Sequence, residues 1–195
     1  MNQDWFKEYS KVGNQPSLIT IGGFDGVHIG HQKILHSMRK YQEMYPKTRV
    51  LVITFDPLPK QFFYPTIQPL IPLSERISKL YQHGADEVIV LPFSQKISSV
   101  SAEHFLNHFL VEHLKLHTLF LGPQHRFGKD GRGDIHFTTK MSYNLNFKVQ
   151  EVSPVFVNNK QVSSSLIRQL KADNQNEEAN NLLNEFNTID HLILP

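Results

Sequence analysis

Short runs of β-branched and aliphatic residues alternate along this chain with segments whose apolar residues recur at helical spacing. Strands that alternate with helices are typical of parallel strands joined by helical crossovers. The strand predictions are SLITIG at 17–22, RVLVITF at 49–55, DEVIVLPF at 86–93, TLFLG at 118–122 and FKVQEV at 147–152, followed by a small hairpin or turn around Asn158 and Asn159. The sequence therefore predicts an α/β fold built on a parallel sheet.

The composition excludes several classes of protein. The chain has 195 residues, enough for one domain with a sizeable core, and no cysteine for disulfides or thiolate-ligated metals. Its 20 basic and 18 acidic residues leave a net charge of +2, too small for a general grip on a nucleic-acid backbone. No apolar run reaches the roughly 18 residues of a membrane-spanning helix. We therefore expect a cytoplasmic protein that binds neither nucleic acid nor membranes.

Residue types also mark helices and loops. Apolar residues at three- and four-residue spacing predict a helix after Gly30, and hydroxyls predict helix starts at Ser74 and Ser101. The proline-rich stretch 57–72 predicts a long loop without regular structure, and the glycines and charges of 122–133 predict a second loop. Two short helices are predicted after residue 162. The second of them has four apolar side chains on one face, Ala179, Leu182, Leu183 and Phe186.

The segment GGFDGVHIGHQ, residues 22–32, carries the strongest functional signal. It lies between the first predicted strand and helix, where a glycine-rich turn leaves N–H groups and a positive helix terminus free to bind phosphate. Gly30 allows a close approach, and His28 and His31 would stabilise charge that develops on a reacting phosphate. The histidines could instead be metal ligands or ordinary surface residues, although two histidines alone make a poor metal site.

A second candidate anion site is VSSSLIR, residues 162–168. Its hydroxyls stand at a predicted helix start, where Ser164 or Ser165 could bind an anion together with the N-terminal amides. Arg168 could add a planar cation suited to phosphate. The alternative is that the hydroxyls only cap the helix. If both segments act together, their helix N-termini would converge on one crevice at the carboxyl edge of the sheet.

Five segments, taken in order, resemble one family. GGFDGVHIGHQKIL resembles the H-x-G-H signature of the nucleotidyltransferase superfamily. It is most similar to that of the adenylyltransferase module of bacterial FAD synthetases, which are bifunctional riboflavin kinases and FMN adenylyltransferases. The other matching segments are VITFDPLP, SAEHFLNHFLVEHLKLHTLFLG, RFGKDGRGD and VSSSLIR. The resemblance implies a single Rossmann-like, doubly wound domain with short C-terminal helices. The implied reaction transfers AMP from ATP to FMN and forms FAD and pyrophosphate.

The resemblance also implies roles for individual residues. The catalytic contacts would be His28, His31, Ser164 and Arg168. The ATP-binding residues would be Gly22, Phe24, Asp25, Gly30, Gly122, Ser163 and Ser165. The flavin-binding residues would be Asp56, Pro57, Gln124 and Phe127. No side chain is implied as a metal ligand, because Mg²⁺ would be held mainly by phosphate oxygens of ATP. Asp25 could equally be a turn residue beside Gly26.

The sequence departs from the family pattern on the flavin side. Gln124 and His125 stand where the family has a short acid or amide and a phenylalanine, and Leu58 replaces a histidine. We favour an FMN adenylyltransferase. One alternative is a nucleotidyltransferase with another acceptor, such as nicotinate mononucleotide or a phosphopantetheine. The other is a regulatory protein that binds flavin or nucleotide without catalysis.

The family pattern also predicts where the domain ends. The adenylyltransferase domain would span 1–186, and the tail 187–195 would lie where the family's kinase module begins. We therefore expect no riboflavin kinase activity from this chain. A separate riboflavin kinase would then supply the FMN.

Overall fold

A five-stranded parallel sheet forms the centre of the protein, in a computed structural model that describes Phe6 and residues 14–184. Its strands are β1 (Ser17–Ile21), β2 (Arg49–Asp56), β3 (Glu87–Pro92), β4 (Leu116–Leu121) and β5 (Lys148–Glu151). All neighbouring strands pair in parallel, in the order β3-β2-β1-β4-β5. The strand order reverses direction at β1, so the crevice between β1 and β4 is a topological switch point, where ligands bind in open α/β sheets.

Helices pack on both faces of this sheet. The α-helices are α1 (Ile29–Met44), α2 (Pro59–Phe63), α3 (Leu73–Gln82), α4 (Gln95–Ser98), α5 (Ala102–His104), α6 (Ile135–Leu145), α7 (Ser164–Ala172) and α8 (Asn176–Asn181). A π-helix (Phe105–His113) continues α5, and a 3₁₀ turn (Lys129–Gly131) lies in the loop after β4. A small hairpin joins β6 (Phe156–Val157) to β7 (Lys160–Gln161).

Alternation along the strands divides the apolar residues between two cores. Leu18 and Val50 pack into one core with Leu35 of α1. Ile19 and Leu51, one residue further along each strand, pack into the other core with the π-helix. Successive strand side chains point to opposite faces, so both faces are covered. The predicted doubly wound α/β fold is therefore confirmed.

A third apolar cluster packs the start of α1 against the last two described helices. Ile29, the first residue of α1, packs there with Ile167 of α7 and Leu182 after α8. The backbone N–H of Ile29 also donates to the carbonyl oxygen of Leu182 at 3.0 Å. This packing sets the start of α7 beside the loop that precedes α1. The two predicted phosphate-binding segments are therefore neighbours in space.

The predicted helix starts have different outcomes. Ser101 does cap α5, since its Oγ accepts a hydrogen bond from the N–H of His104 at 3.1 Å. The prediction for Ser74 is wrong, because α3 begins at Leu73 after Pro72. The carbonyl of Pro72 accepts the first helical hydrogen bond, from the N–H of Arg76 at 3.0 Å, so the helix starts before Ser74.

The prediction of an irregular stretch at 57–72 is also corrected, because it contains α2. Pro59 occupies the first turn of that helix, where its fixed φ fits and its missing N–H costs no bond. Helix α6 was not predicted; Asp134 caps it by accepting from the N–H of Phe137 at 2.9 Å. Phe186, expected on the face of the last helix, and the tail 187–195 lie outside the described residues.

Membrane insertion of a helix is not indicated in the described part of the chain. None of its helices is both long and apolar enough to cross a lipid bilayer.

Gly128 should be the least replaceable glycine of the loop after β4. Its φ is 71° and its ψ 175°, a region nearly restricted to glycine. A Cβ there would lie 2.5 Å from Cα of Ala102. We expect Gly128→Ala to lower the free energy of unfolding by about 3–5 kcal/mol in urea denaturation, from strain plus overpacking.

Gly131→Ala is the matched control. Its φ of 64° is also left-handed, but its Cβ would meet only the flexible side chain of Arg126, at 3.3 Å. We expect a loss of about 1–2 kcal/mol. Equal losses at both glycines would contradict a backbone collision at Gly128.

Candidate active site

Two cavities open beside each other at the carboxyl edge of the sheet. Both are lined by Ile21, Gly22 and Gly23 at the end of β1 and by His125 after β4. The histidine cavity, about 250 Å³, also contains His28 and His31. The aromatic cavity, about 580 Å³, shares only these four lining residues with it. The switch point thus holds two adjoining compartments, and these four residues form the wall that they share.

The histidine cavity gathers many of the predicted phosphate-binding residues. Those that line it are Gly22, Phe24, His28, Gly30, His31, Gly122 and Ser163. They come from the end of β1, the start of α1, the end of β4 and the residue before α7. The two glycine-rich segments and the residue that precedes α7 therefore meet at one cavity. Asp25, Ser164, Ser165 and Arg168, also predicted to contact the nucleotide, do not line it.

The two histidine rings are stacked against each other. Their centroids are 3.7 Å apart at an interplanar angle of 18°, and Phe24 packs on His31 at 5.0 Å. Gly30 leaves the room for this arrangement, because a Cβ there would lie 3.2 Å from Cε1 and Nδ1 of His28. The glycine between the histidines is thus required by the close approach of an imidazole.

Burial keeps both imidazoles uncharged near neutral pH. It lowers the pKa of His28 to about 4 and the pKa of His31 well below its usual value. Nδ1 of each ring is buried and has no hydrogen-bond partner among the described residues. A neutral imidazole offers one N–H donor and one acceptor nitrogen. The pair can therefore donate hydrogen bonds to an anion, and a bound anion would favour protonation.

The three serines at the start of α7 do three different things. Ser163 is the cap, since its Oγ accepts from the N–H of Leu166 at 3.2 Å. Ser164 Oγ donates to the carbonyl oxygen of Asp25 at 3.0 Å. Ser165 Oγ accepts from Nζ of Lys60 at 2.9 Å. Capping thus accounts for Ser163 only, and Ser164 ties α7 to the loop after β1.

Arg168 forms an ion pair with Asp25. Its Nη2 contacts Oδ2 of that buried carboxylate, and it also donates to the carbonyl of Gln68 at 2.9 Å. Oδ1 of Asp25 accepts from the N–H of Leu70 at 2.8 Å. Asp25 is therefore more than a turn residue. It joins the loop after β1, the proline-rich segment and α7.

Arg76 was not found from the sequence. It lies on α3 with only 2% of its side chain exposed, and it donates to the carbonyls of Phe55 at 2.8 Å and Gly23 at 3.2 Å. Burial lowers its pKa, while the nearby carboxylates of Asp25 and Asp56 oppose that shift. An arginine within a helix carries no sequence signal of burial. Its role, holding the ends of β1 and β2 together behind the wall, is visible only in the fold.

The aromatic cavity accounts for part of the predicted flavin set. Phe127 lines it, together with Phe55, Phe63, Phe93 and Phe105. Phe62, Phe63 and Phe93 form edge-to-face contacts with centroids 5.3–5.9 Å apart. Phe63 is 58% exposed, so its ring borders the cavity and is not a core residue. A planar apolar ligand would find aromatic faces and edges on several sides.

The other predicted flavin residues lie outside that lining. Asp56 and Gln124 are exposed, and neither they nor Pro57 borders the cavity. His125 borders both cavities, and burial lowers its pKa to about 4. Leu58 is buried, and its Cδ2 would be 3.3 Å from a Cβ at Gly23. Two of the departures from the family pattern, His125 and Leu58, thus pack against the shared wall.

The buried histidines make stability depend on pH. The unfolded chain takes up a proton at His28 near pH 6.5, whereas the folded chain does so only near pH 4. The stability that depends on an uncharged His28 is therefore fully present above pH 6.5 and is lost as the pH falls from 6.5 toward 4. We expect His28→Asn to reduce the slope of unfolding free energy against pH by about 1 kcal/mol per pH unit between pH 6 and 4.5. Urea denaturation across this range measures the slope, and an unchanged slope would contradict a buried neutral imidazole.

Solved structures show how widely this fold is shared. A protein named macrolide-efflux protein from Streptococcus pneumoniae superposes with a TM-score of 0.78 at 26% identity, over 91% of this chain and 58% of that one. Pantoate-beta-alanine ligase from Francisella tularensis superposes with a TM-score of 0.53 at 15% identity, over 88% of this chain and 72% of that one. The second likeness shows the fold alone.

Sequence comparison identifies the family to which this chain belongs. A bifunctional riboflavin kinase/FMN adenylyltransferase from Buchnera aphidicola subsp. Acyrthosiphon pisum is 31% identical over 87% of this chain and 55% of that protein. The protein of the same name from Escherichia coli (strain K12) is 29% identical, over 89% of this chain and 56% of its own length. This chain thus spans about half the length of these curated relatives. The FAD synthetase family model matches residues 10–166. That match contains the whole sheet and most of both predicted phosphate-binding segments, so the chain belongs to the FAD synthetase family.

Proposed function

We propose that this chain is an FMN adenylyltransferase, which transfers AMP from ATP to FMN and releases FAD and pyrophosphate. The observation that carries the proposal is the pair of cavities that share the Gly22–Gly23 wall. One contains unpartnered imidazole nitrogens and ends at the first turns of α1 and α7. The other is aromatic, and its volume of about 580 Å³ lies within the range of about 300–1,000 Å³ that is typical of small-molecule pockets. A phosphate-rich nucleotide and a planar flavin match these two compartments.

The reaction needs positioning more than base catalysis. A phosphate oxygen of FMN attacks the α-phosphorus of ATP, a new P–O bond forms, and the bond to the β-phosphate bridging oxygen breaks as pyrophosphate leaves. A phosphate monoester has a second pKa near 6 and is mostly dianionic at pH 7. The protein therefore has to hold the reactants in line and to offset the charge on the leaving group.

The histidine cavity supplies hydrogen-bond donors for that charge. His28 and His31 would donate to phosphate oxygens of ATP, supported by the backbone around Gly22, Gly30 and Gly122. Both rings are buried and uncharged without ligand. A bound phosphate would favour their protonation. The protonated rings would then form stronger hydrogen bonds to the pyrophosphate as negative charge develops on it.

The start of α7 would receive the triphosphate tail. Ser163 borders the cavity as the cap of α7. Ser164 and Ser165 are the first two residues of that helix, and Arg168 lies one turn further along. Arg168 is engaged with Asp25 and the carbonyl of Gln68, so a triphosphate would compete with these contacts for its guanidinium. Phe24 and Asp25 would act by supporting His31 and Arg168.

The aromatic cavity would hold the isoalloxazine ring of FMN. Phe127 is the predicted flavin residue that lines it. Asp56 and Pro57 follow Phe55, which also lines it, and Gln124 precedes His125. These three would act at the entrance or on the phosphate side of FMN, since none borders the cavity.

Magnesium would enter with ATP. Within residues 14–184, no group of three or more histidine, aspartate or glutamate side chains is arranged to hold a metal ion. Mg²⁺ commonly keeps waters and binds mainly nucleotide phosphates, and when bound it would offset phosphate charge. These substrates suit the cytoplasm, and a separate riboflavin kinase would be the source of FMN.

The deciding assay is incubation with FMN, ATP and Mg²⁺, with FAD followed by chromatography and pyrophosphate by a coupled assay. We expect the unaltered chain to form both products in equal amounts. His28→Ala and His31→Ala should each lower kcat by about 100-fold or more, the loss typical of a donor to transition-state charge. His36→Ala, on the exposed side of α1, is the matched control and should retain activity. Thermal melting checks that each variant is folded.

The other outcomes separate the alternatives. Near-normal activity in both histidine variants would contradict the proposed site. Pyrophosphate release only with nicotinate mononucleotide or a phosphopantetheine would assign a different acceptor. Thermal stabilisation by FMN or ATP without product would indicate a regulatory protein.

A further inference from the structure

Lys60 is a cation beside the site whose structural partner is neutral. It is exposed on α2, and its Nζ donates to the hydroxyl of Ser165 at 2.9 Å. The two arginines that join the loops around the site, Arg168 and Arg76, both face carboxylates. Arg168 is paired with Asp25, and Nη2 of Arg76 is 4.0 Å from Oδ1 of Asp56. In the described part of the chain, Lys60 is thus the cation of these three that forms no ion pair with a carboxylate.

The position of Lys60 relates it to both cavities. It lies on the five-residue helix α2 between Pro59 and Phe63, which line the aromatic cavity. Its ammonium reaches Ser165 in the first turn of α7, two residues after Ser163, which lines the histidine cavity. The charge therefore stands between the compartment proposed for the flavin ring and the helix start proposed for the triphosphate.

We propose that Lys60 binds the phosphate group of the flavin acceptor and holds it for attack on the α-phosphorus. This inference rests on the proposed function, since it assigns one group within that site. Two highly charged phosphates must approach each other in the transfer, and a lysine ammonium is a compact charge that can turn between acceptors. It can exchange the neutral hydroxyl of Ser165 for a phosphate dianion at little cost, because no ion pair has to break. Lys60 would then distinguish FMN from riboflavin, which lacks the phosphate.

The test compares the binding of FMN with that of riboflavin, by quenching of flavin fluorescence. In Lys60→Met we expect the Kd for FMN to rise about 10- to 100-fold, the loss of one charge-assisted hydrogen bond. The Kd for riboflavin should not change. Lys60→Arg should keep the Kd for FMN within about threefold. Lys171→Met, exposed at the other end of α7, is the matched control and should leave both constants unchanged.

Kinetics give a second readout. When the FMN concentration is varied, kcat/KM for FAD formation should fall in Lys60→Met by the same factor as the Kd for FMN rises. The KM for ATP should stay constant. Equal weakening of FMN and riboflavin would overturn the inference in favour of a packing role. A rise confined to the KM for ATP would overturn the inference and indicate a contact with the triphosphate. Unaltered Kd and KM values would also overturn it and indicate that Lys60 has no role in binding.

Failure of the proposed function would look different. If the unaltered chain binds FMN but forms no FAD, the adenylyltransferase proposal fails, while the FMN and riboflavin constants still decide the role of Lys60. If the unaltered chain binds neither FMN nor riboflavin, both the proposed function and the inference about Lys60 are overturned.

Discussion

The ion pair between Asp25 and Arg168 connects parts of the chain that are far apart in sequence. Asp25 lies in the loop after the first strand, and Arg168 lies on α7, near the end of the described chain. The same carboxylate accepts from the N–H of Leu70, so the proline-rich segment is attached as well. A buried charge is tolerated only when it is paired and hydrogen-bonded, and removing one partner typically costs about 3–5 kcal/mol. Asp25, Arg168 and Leu70 are therefore held together as a unit, and the start of α7 is fixed next to His28.

His28 and His31 differ from this ion pair, because they are buried without a charge and without hydrogen-bond partners for Nδ1 among the described residues. The protein buries two imidazoles with unpartnered nitrogens and leaves them uncharged, which costs stability because each buried polar atom loses its hydrogen bond to water. Such a cost is common where a ligand later supplies the missing partner. Arg168 is paired with Asp25, and Arg76 lies 4.0 Å from Asp56, so both arginines already face carboxylates, and neither lines the histidine cavity. Under the proposed function, binding energy would then come from groups whose interactions improve when an anion binds.

Much of the fold was predictable because its signals are local. The parallel strands are largely aliphatic runs, and α1 buries Ile34, Leu35 and Met38 at helical spacing. The H-x-G-H segment could be placed between them for the same reason. Helix α6 could not be found among the glycines and charges around it, although Asp134 is an ordinary cap. The start of α3 was wrongly placed at Ser74, because serine is a good capping residue. The carbonyl of Pro72, two positions earlier, accepts the first helical hydrogen bond. Arg76 and Lys60 have no sequence signature, since the burial of one and the neutral partner of the other arise from packing between distant segments.

The wall between the cavities explains how the departures from the family pattern can be accommodated. Gly22 and Gly23 have no side chains, and a Cβ on either would crowd Phe24 or Leu58, at 3.1 Å and 3.3 Å. Ile21 and His125 line both compartments as well. Under the proposed function, an acceptor phosphate in one compartment would meet an α-phosphate in the other across this shared wall. Leu58 backs this wall with an apolar side chain in place of an imidazole, and His125 borders both compartments with a ring that burial keeps neutral. Neither change adds a charge at this wall, so under the proposed function the positive charge that offsets the phosphates would come from side chains of neighbouring elements.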